Sequence, residues 1–185
     1  RLLRILALFS TLLFLVGVAS SLAAGEDPKS IAQKILEQTG VKGGLVVHVG
    51  CGDGKLTAAL HVSDRYLVHG LDMDTENIRR AREHIRSLGL YGKVSVERWS
   101  GKRLPYADNL VNLIVVEGGV KVSREELMRV LAPRGVAYIE GDSRWTKLVK
   151  PVPKDIDEWT HALHDSDNNA VSRDYRVALP RYLQW

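Results

Sequence analysis

Residues 44–54 read Gly-Leu-Val-Val-His-Val-Gly-Cys-Gly-Asp-Gly, a short apolar run that ends in a glycine-rich turn. The apolar run is typical of a strand that is buried on both faces. Glycine at positions 50, 52 and 54 allows a tight turn and the close approach of a ligand to the backbone. Residues 55–61 then have helical spacing, so the sequence predicts a strand, a turn and a helix in immediate succession.

The same alternation of strand and helix continues on both sides of this turn. Apolar or alternating runs predict strands at 44–49, 66–71, 93–98, 110–116 and 135–140. Helical spacing predicts helices at 28–40, 55–61, 75–88 with Thr75 as its cap, and 123–130 with a Ser123-x-x-Glu126 capping box. Strands that alternate with helices predict an α/β fold, a doubly wound and mostly parallel sheet of about five strands with helices on both faces.

In such a sheet, ligands bind at the carboxyl ends of the strands, where the strand order reverses. The glycine turn is expected at that point. Asp72 ends the second strand, 22 residues after Gly50, and an acid at this spacing accepts the hydroxyl groups of a ribose. A dinucleotide site is the alternative, but its fingerprint needs a third glycine where this chain has Lys55. The sequence therefore favours an adenosyl ligand without a pyrophosphate.

Four stretches resemble, in order, the successive motifs of the class I S-adenosylmethionine-dependent methyltransferases, which have a Rossmann-like fold. They are VVHVGCGDG, LVHGLDMD, RLPYADNLVNLIVV and RVLAPRGVAYI, and the resemblance covers roughly residues 30–141. It implies S-adenosyl-L-methionine as the cofactor, with Asp72 on the ribose, Met73 against the adenine, and Ser100 and Gly101 at the adenine edge. The candidate cofactor-binding residues are Gly50, Cys51, Gly52, Asp53, Gly54, Asp72, Met73, Ser100 and Gly101.

Three positions depart from the family pattern. His48 stands where the family usually has an acid that helps to hold the amino group of the cofactor. Ser100 and Asn112 also stand where the family commonly has acids. Glu117-Gly118-Gly119 lacks the Asn/Asp-Pro-Pro-aromatic signature of enzymes that methylate amino groups of nucleic acids, and the net charge of +4 is too small to indicate a nucleic-acid partner. No catalytic residue is identified by spacing.

Two hypotheses about function remain open. The first is methyl transfer from S-adenosylmethionine to an unidentified small substrate. The second is a non-catalytic, methyltransferase-like scaffold or binding module, which a pocket filled by His48 or Trp99 would favour. Cys51 is the single cysteine, so no internal disulfide forms, and its place in a glycine turn favours a small packing residue over a nucleophile.

The N-terminal segment has the order of a secretory signal peptide. Arg1 and Arg4 are basic, residues 5–19 are uncharged and apolar, and residues 20–24 are mostly small. Residues 5–24 are also long enough to cross a bilayer as an uncleaved anchor. A buried helix of the domain is disfavoured because the run has no polar face. A signal peptide and an uncleaved anchor both predict that the rest of the chain is exported to the periplasm or cell envelope, either free or attached to the membrane.

A domain boundary is expected at Pro151 and Pro153. We expect residues 27–150 to form the methyltransferase-like domain, with too little room before the prolines for an antiparallel hairpin after the fifth strand. The segment DEWTHALHDSDNNAVSRD at 157–174, followed by LPRYLQW, resembles the lead-in to the PQQ-like β-propellers of exported bacterial proteins. Residues 151–185 are therefore interpreted as a linker and the start of a further domain.

The polar residues of this tail do not predict a metal site. Asp165, Asp167 and Asn169 alternate as at the start of a calcium loop. Such a loop then needs Gly at its sixth position and Glu at its twelfth, where this chain has Ala170 and Arg176.

Overall fold

The computed structural model describes residues 27–117, 119–141 and 144–154. The predictions for residues 1–24 and for the tail after residue 154 lie outside these ranges. The described elements, in chain order, are α1 Pro28–Thr39, β1 Gly44–Val49, α2 Lys55–Ala59, β2 Tyr66–Asp72, α3 Thr75–Ser87, β3 Val94–Arg98, β4 Val111–Val116, α4 Arg124–Val130, β5 Leu131–Glu140 and β6 Trp145–Val149.

The strands form one sheet in the order β3-β2-β1-β4-β5-β6. The pairings from β3 through β5 are parallel, and β6 pairs with β5 antiparallel. This confirms the predicted α/β class with a mostly parallel sheet, which has six strands where about five were expected. The chain moves outward from β1 to β2 and β3, then crosses to β4 on the other side of β1. The carboxyl ends of β1 and β4 therefore mark the point at which the strand order reverses.

The hairpin of β5 and β6 contradicts the expectation that no such hairpin fits before Pro151. Glu140 pairs with Trp145 and Val136 pairs with Val149, so the two strands are joined by a short turn. The Gly141 N–H donates to the Arg144 carbonyl at 3.1 Å across this turn. The rings of Tyr138 and Trp145 stack with centroids 4.9 Å apart. Because this turn is short, enough residues remain before Pro151 for β6 to form and pair with β5.

Apolar side chains fill both faces of the sheet, which explains why β1 and β4 read as nearly continuous apolar runs. One face packs against α1, α2 and α3, and its cluster includes Val46, Val68, Val96, Leu113, Val115, Ile35, Leu56, Ile78 and Ile85. The other face packs against α4 and the segment between β3 and β4, and its cluster includes Val47, Val49, Leu71, Ile114, Val116, Trp99, Leu104, Leu127 and Val130. His48 is the polar exception within β1 and is fully buried.

The helices begin and end at residues with recognisable capping roles. Pro28 opens α1, and Gly40 ends it in the left-handed region at φ 74°. Asp74, not Thr75, caps α3, because its side chain accepts the Glu76 N–H at 2.7 Å. Ser123 caps α4 as predicted, by accepting the Glu126 N–H at 3.2 Å. No helix among the described residues has the length and apolarity of a membrane span.

Candidate functional site at the glycine turn

Backbone hydrogen bonds hold the glycine turn against β2. The N–H groups of Gly50 and Cys51 both donate to the Leu71 carbonyl, at 2.8 and 3.1 Å. The Gly54 N–H closes the turn by donating to the Cys51 carbonyl at 2.9 Å. The turn therefore lies directly beside the end of β2, where Asp72 follows Leu71.

Gly54 and Gly52 serve different purposes within this turn. Both have positive φ, 80° and 51°. A Cβ added at Gly54 would lie 2.7 Å from the Ala81 Cβ and 2.9 Å from its Cα, so this glycine lets α3 pack closely on the turn. A Cβ added at Gly52 would meet no atom of the described structure within 4 Å. Gly52 therefore borders open space at the site, while Gly54 is required by packing.

Asp72 is the polar centre of the site. Its side chain is buried, with 8% of the residue exposed. Oδ2 accepts the Gly52 N–H at 2.9 Å, and Oδ1 accepts the Asp74 N–H at 2.9 Å. The Asn77 amide donates to both oxygens at 3.3 Å. The carboxylate is thus fixed against the glycine turn, as the sequence predicted. These four contacts occupy about four lone-pair sites, so a ligand hydroxyl would bind Asp72 by replacing one of the long contacts with Asn77.

The residues predicted at the adenine lie together just beyond the ends of β2 and β3. Met73 is 48% exposed. A Cβ added at Gly101 would lie 2.9 Å from the Met73 sulfur, so the two residues are in close contact. Gly101 has φ 78°, and its neighbour Ser100 is exposed. The exposed Met73 side chain offers an apolar surface next to Asp72. The assignment of adenine to this surface remains a prediction.

Cys51 is a packing residue in this turn. It is 3% exposed, and a Cβ added at Gly70 would lie 3.0 Å from the Cys51 Cβ. Burial, together with the negative charge of Asp72, raises the pKa of its thiol from the ordinary 9.0 to about 12. The thiol is therefore protonated at neutral pH, and a thiolate nucleophile at this position is disfavoured.

Three carboxylates surround the turn. Asp72, Glu117 and Asp53 each contribute to the raised pKa of the Cys51 thiol through their negative charge. Asp53 is paired with Lys55, whose Nζ lies 2.7 Å from Oδ2. Partial burial opposes ionisation of Asp53, but hydrogen bonds from the side chain and the backbone N–H of Lys55, together with its positive charge, outweigh burial and lower the pKa of the carboxyl. The site is consequently negative, which suits a cationic ligand better than a phosphate.

His48 connects β1 to α2 and to the end of β4. Its Nδ1 lies 2.8 Å from the Thr57 hydroxyl oxygen. Its Nε2 lies 3.3 Å from Oε1 of Glu117, which is within ion-pair distance but does not have the geometry of a hydrogen bond. The histidine is fully buried, whereas the Glu117 side chain is 36% exposed. Glu117 is therefore the group through which this buried pair meets the open part of the site.

Trp99 and Asn112, which raised doubts about binding, are structural. The Trp99 indole is buried in the core cluster under α4 and donates from Nε1 to the Arg103 carbonyl at 3.0 Å. Asn112 lies at the opposite end of the sheet from the glycine turn. Its Oδ1 accepts the Leu45 N–H at 2.9 Å and connects the beginnings of β4 and β1. Position 112 is therefore remote from the candidate site.

A cleft of about 1150 Å³ lies on the flank of the domain, between α1, α2 and α3. Its lining is mainly apolar and includes Leu36, Val62, Tyr66 and Leu88. Lys55 borders it, but no residue of the glycine turn from Gly50 to Gly54 does. This flank cleft is therefore separate from the candidate site.

Sequence reasoning missed two members of the site, Asn77 and Glu117. Asn77 was detectable in principle, because it lies in the first turn of α3, five residues after Asp72. Glu117 directly follows a strand that pairs with β1, but its contact with His48 spans 69 positions of sequence. A pattern read along the chain does not predict a contact of that kind until the strand order is known.

Comparison with known proteins agrees with this geometry. A family model described as a methyltransferase domain matches residues 46–135. The chain is 31% identical over 110 residues to methyltransferase GfsG of Streptomyces halstedii, and 26% identical over 141 residues to the ubiquinone/menaquinone biosynthesis C-methyltransferase UbiE of Klebsiella pneumoniae. A solved S-adenosylmethionine-dependent methyltransferase from Aquifex aeolicus superposes with a TM-score of 0.53 at 27% identity, covering 61% of this chain and 67% of that one.

The match to the two curated relatives is partial on both sides. The aligned regions cover 58% of this chain and 40% of the Streptomyces protein, and 72% of this chain and 55% of the Klebsiella protein. The chain thus spans about half the length of these relatives or less. The residues matched by the family model, 46–135, contain the glycine turn and Asp72.

Proposed function

We propose that this chain transfers a methyl group to a small substrate. The premise is that residues 46–135 form a class I S-adenosylmethionine-dependent methyltransferase domain. The cofactor of the domain is S-adenosyl-L-methionine. The observation that carries the proposal is the buried Asp72 carboxylate, held by the Gly52 N–H at the point where the strand order reverses. The identity of the methyl acceptor remains open.

The residues present fit this cofactor. Asp72 would accept the ribose hydroxyls in place of its 3.3 Å contacts with the Asn77 amide, and the space beside Gly52 admits a ligand close to the backbone. Met73, next to Asp72, presents an exposed apolar surface. The carboxylates Asp53, Asp72 and Glu117 give the turn a negative charge, which complements a ligand that carries a sulfonium and an ammonium group.

The chain's contribution to the reaction is positioning. When bound, the cofactor supplies an electrophilic methyl group, and transfer to a nucleophile leaves S-adenosylhomocysteine with the bonding electron pair on sulfur. The glycine turn and Asp72 would hold the adenosyl part still and so keep the methyl group in one direction of attack. Orientation of this kind lowers the barrier without a protein nucleophile. The protonated thiol of Cys51 is consistent with that mechanism.

Calorimetry on the purified full chain tests this function. Wild type should bind S-adenosylmethionine and S-adenosylhomocysteine. Asp72→Ala should weaken binding by about 1–3 kcal/mol, the cost of leaving ligand hydroxyls without a partner. Asp64→Ala is the matched control, because Asp64 is an exposed aspartate just before β2, at the opposite end of that strand. Absence of binding by wild type would favour the scaffold hypothesis, and equal affinity in Asp72→Ala would show that the ribose lies elsewhere.

We also propose that the domain works outside the cytoplasm. The support is the basic, apolar and small-residue order of residues 1–24, which fits a signal peptide or a membrane anchor formed by residues 5–24. The resemblance of residues 157–185 to the lead-in of a PQQ-like β-propeller supports a further C-terminal domain as an intramolecular partner. No nucleic-acid partner is proposed.

A further inference from the structure

Within the described part of the chain, one carboxylate of the site makes no hydrogen bond that satisfies it. Asp72 accepts two backbone N–H groups, and Asp53 is paired with Lys55. Among the described residues, the Glu117 carboxylate is approached only by His48, at 3.3 Å. A partly exposed carboxylate next to two other acids is a place where a ligand cation would be stabilised.

Glu117 is also well placed to reach a ligand on the glycine turn. Its N–H donates to the Val49 carbonyl at 3.0 Å, which fixes its backbone beside the end of β1. A Cβ added at Gly50 would lie 3.5 Å from the Glu117 Cβ. The side chain therefore begins in contact with the turn, at the point where the strand order reverses.

His48 provides a second, independent observation that the site lacks a hydrogen-bonding partner. Its Nε2 is a buried side-chain nitrogen that lacks a hydrogen bond within the described structure. In the tautomer in which Nδ1 accepts a hydrogen bond from the Thr57 hydroxyl, Nε2 carries the N–H and faces Glu117. A small shift of the carboxylate would let it accept this N–H and a ligand N–H together, so a bound cation would complete the interaction that the structure leaves open.

From these contacts we infer that Glu117 holds the α-ammonium group of the methionine part of the cofactor, and that His48 is the residue that positions Glu117. The inference rests on the proposed function. It also explains the departure at position 48. A carboxylate in place of the buried His48 would lie within a few ångströms of the partly exposed Glu117, and two adjacent acids would repel each other.

A binding cycle on the full chain tests the inference. The two ligands are S-adenosylhomocysteine and its deaminated analogue, in which hydrogen replaces the α-ammonium group. Wild type should prefer the aminated ligand by roughly tenfold to a hundredfold, the value of a charge-assisted hydrogen bond. Glu117→Gln should reduce this preference to about threefold or less, because the carboxylate that would pair with the ammonium group is then absent. The preference of His48→Leu should fall between these values.

The control and the ligand comparison separate the possible failures. Glu125→Gln makes the same substitution on the exposed surface of α4 and should keep the wild-type preference. If wild type binds neither ligand, the proposed function fails and this inference fails with it. If wild type binds both ligands equally, or if Glu117→Gln keeps the full preference, the function stands and the role of Glu117 is wrong. An unchanged preference in His48→Leu would remove His48 from the assignment. Even if a variant does not fold, equal affinity of wild type for the two ligands would overturn the inference.

Discussion

At the scale of single residues, the burial of Cys51 has a measurable effect on stability. Its thiol has a pKa of about 12 in the folded chain, against an ordinary value of 9.0. In the unfolded chain the thiol therefore ionises at lower pH than in the folded chain. Its stabilising contribution is complete below about pH 8 and is lost as pH rises through 9 towards 12.

We therefore predict that the free energy of unfolding of wild type declines between pH 8 and pH 10 more steeply than that of Cys51→Ala. Denaturant titrations of both proteins at several pH values would measure this, and the difference between them should be constant from pH 6 to pH 8. Parallel curves up to pH 10 would show that the thiol is not buried as described. Iodoacetamide should also label native wild type slowly at pH 8, because little thiolate is present.

At the scale of elements, the glycine turn combines a packing role and a binding role in neighbouring positions. Gly54→Ala would place a methyl group 2.7 Å from the Ala81 side chain and force an alanine to φ 80°. We predict that this variant loses about 2–4 kcal/mol of unfolding free energy through overpacking and backbone strain. Thermal or urea denaturation would measure the loss, and an unchanged stability would mean that α3 does not pack on the turn.

Gly52→Ala is the matched variant two positions earlier. Its added methyl group meets open space, so only the left-handed backbone is strained, at a cost of about 1–2 kcal/mol. We predict a smaller loss of stability than for Gly54→Ala and a larger relative loss of affinity for S-adenosylhomocysteine. Calorimetry and denaturation of the two variants side by side would check the order, and the reverse order would contradict the assignment of the two glycines.

The elements that the sequence predicted correctly are those whose signal is local. β1 and β4 are apolar runs buried on both faces, and Asp72 follows an apolar strand at a spacing that is informative by itself. β6 was missed because Trp-Thr-Lys-Leu-Val is a half-exposed edge strand with only short alternation. The contact of His48 with Glu117 was missed because it depends on the pairing of β1 with β4, which are distant in sequence.

At the scale of the whole molecule, the order of charge and hydropathy in residues 1–24 leads to a prediction about location. These residues, fused to a reporter that is active only outside the cytoplasm, should give reporter activity. Leu13→Arg together with Leu15→Arg should abolish it, since each arginine in an inserted helix costs about 2.5–3.5 kcal/mol. A silent wild-type fusion that is found intact in the cytoplasm would show that the segment does not direct export.

The antiparallel direction of β6 also determines from which side the chain leaves the domain. Because β6 begins at the carboxyl edge of the sheet and runs back along β5, Val149 lies at the opposite edge, level with Val136. Whatever follows Lys150 therefore departs from the side of the sheet that is remote from Asp72 and the glycine turn. A C-terminal neighbour attached there would not have to pass over the glycine turn in order to leave the domain.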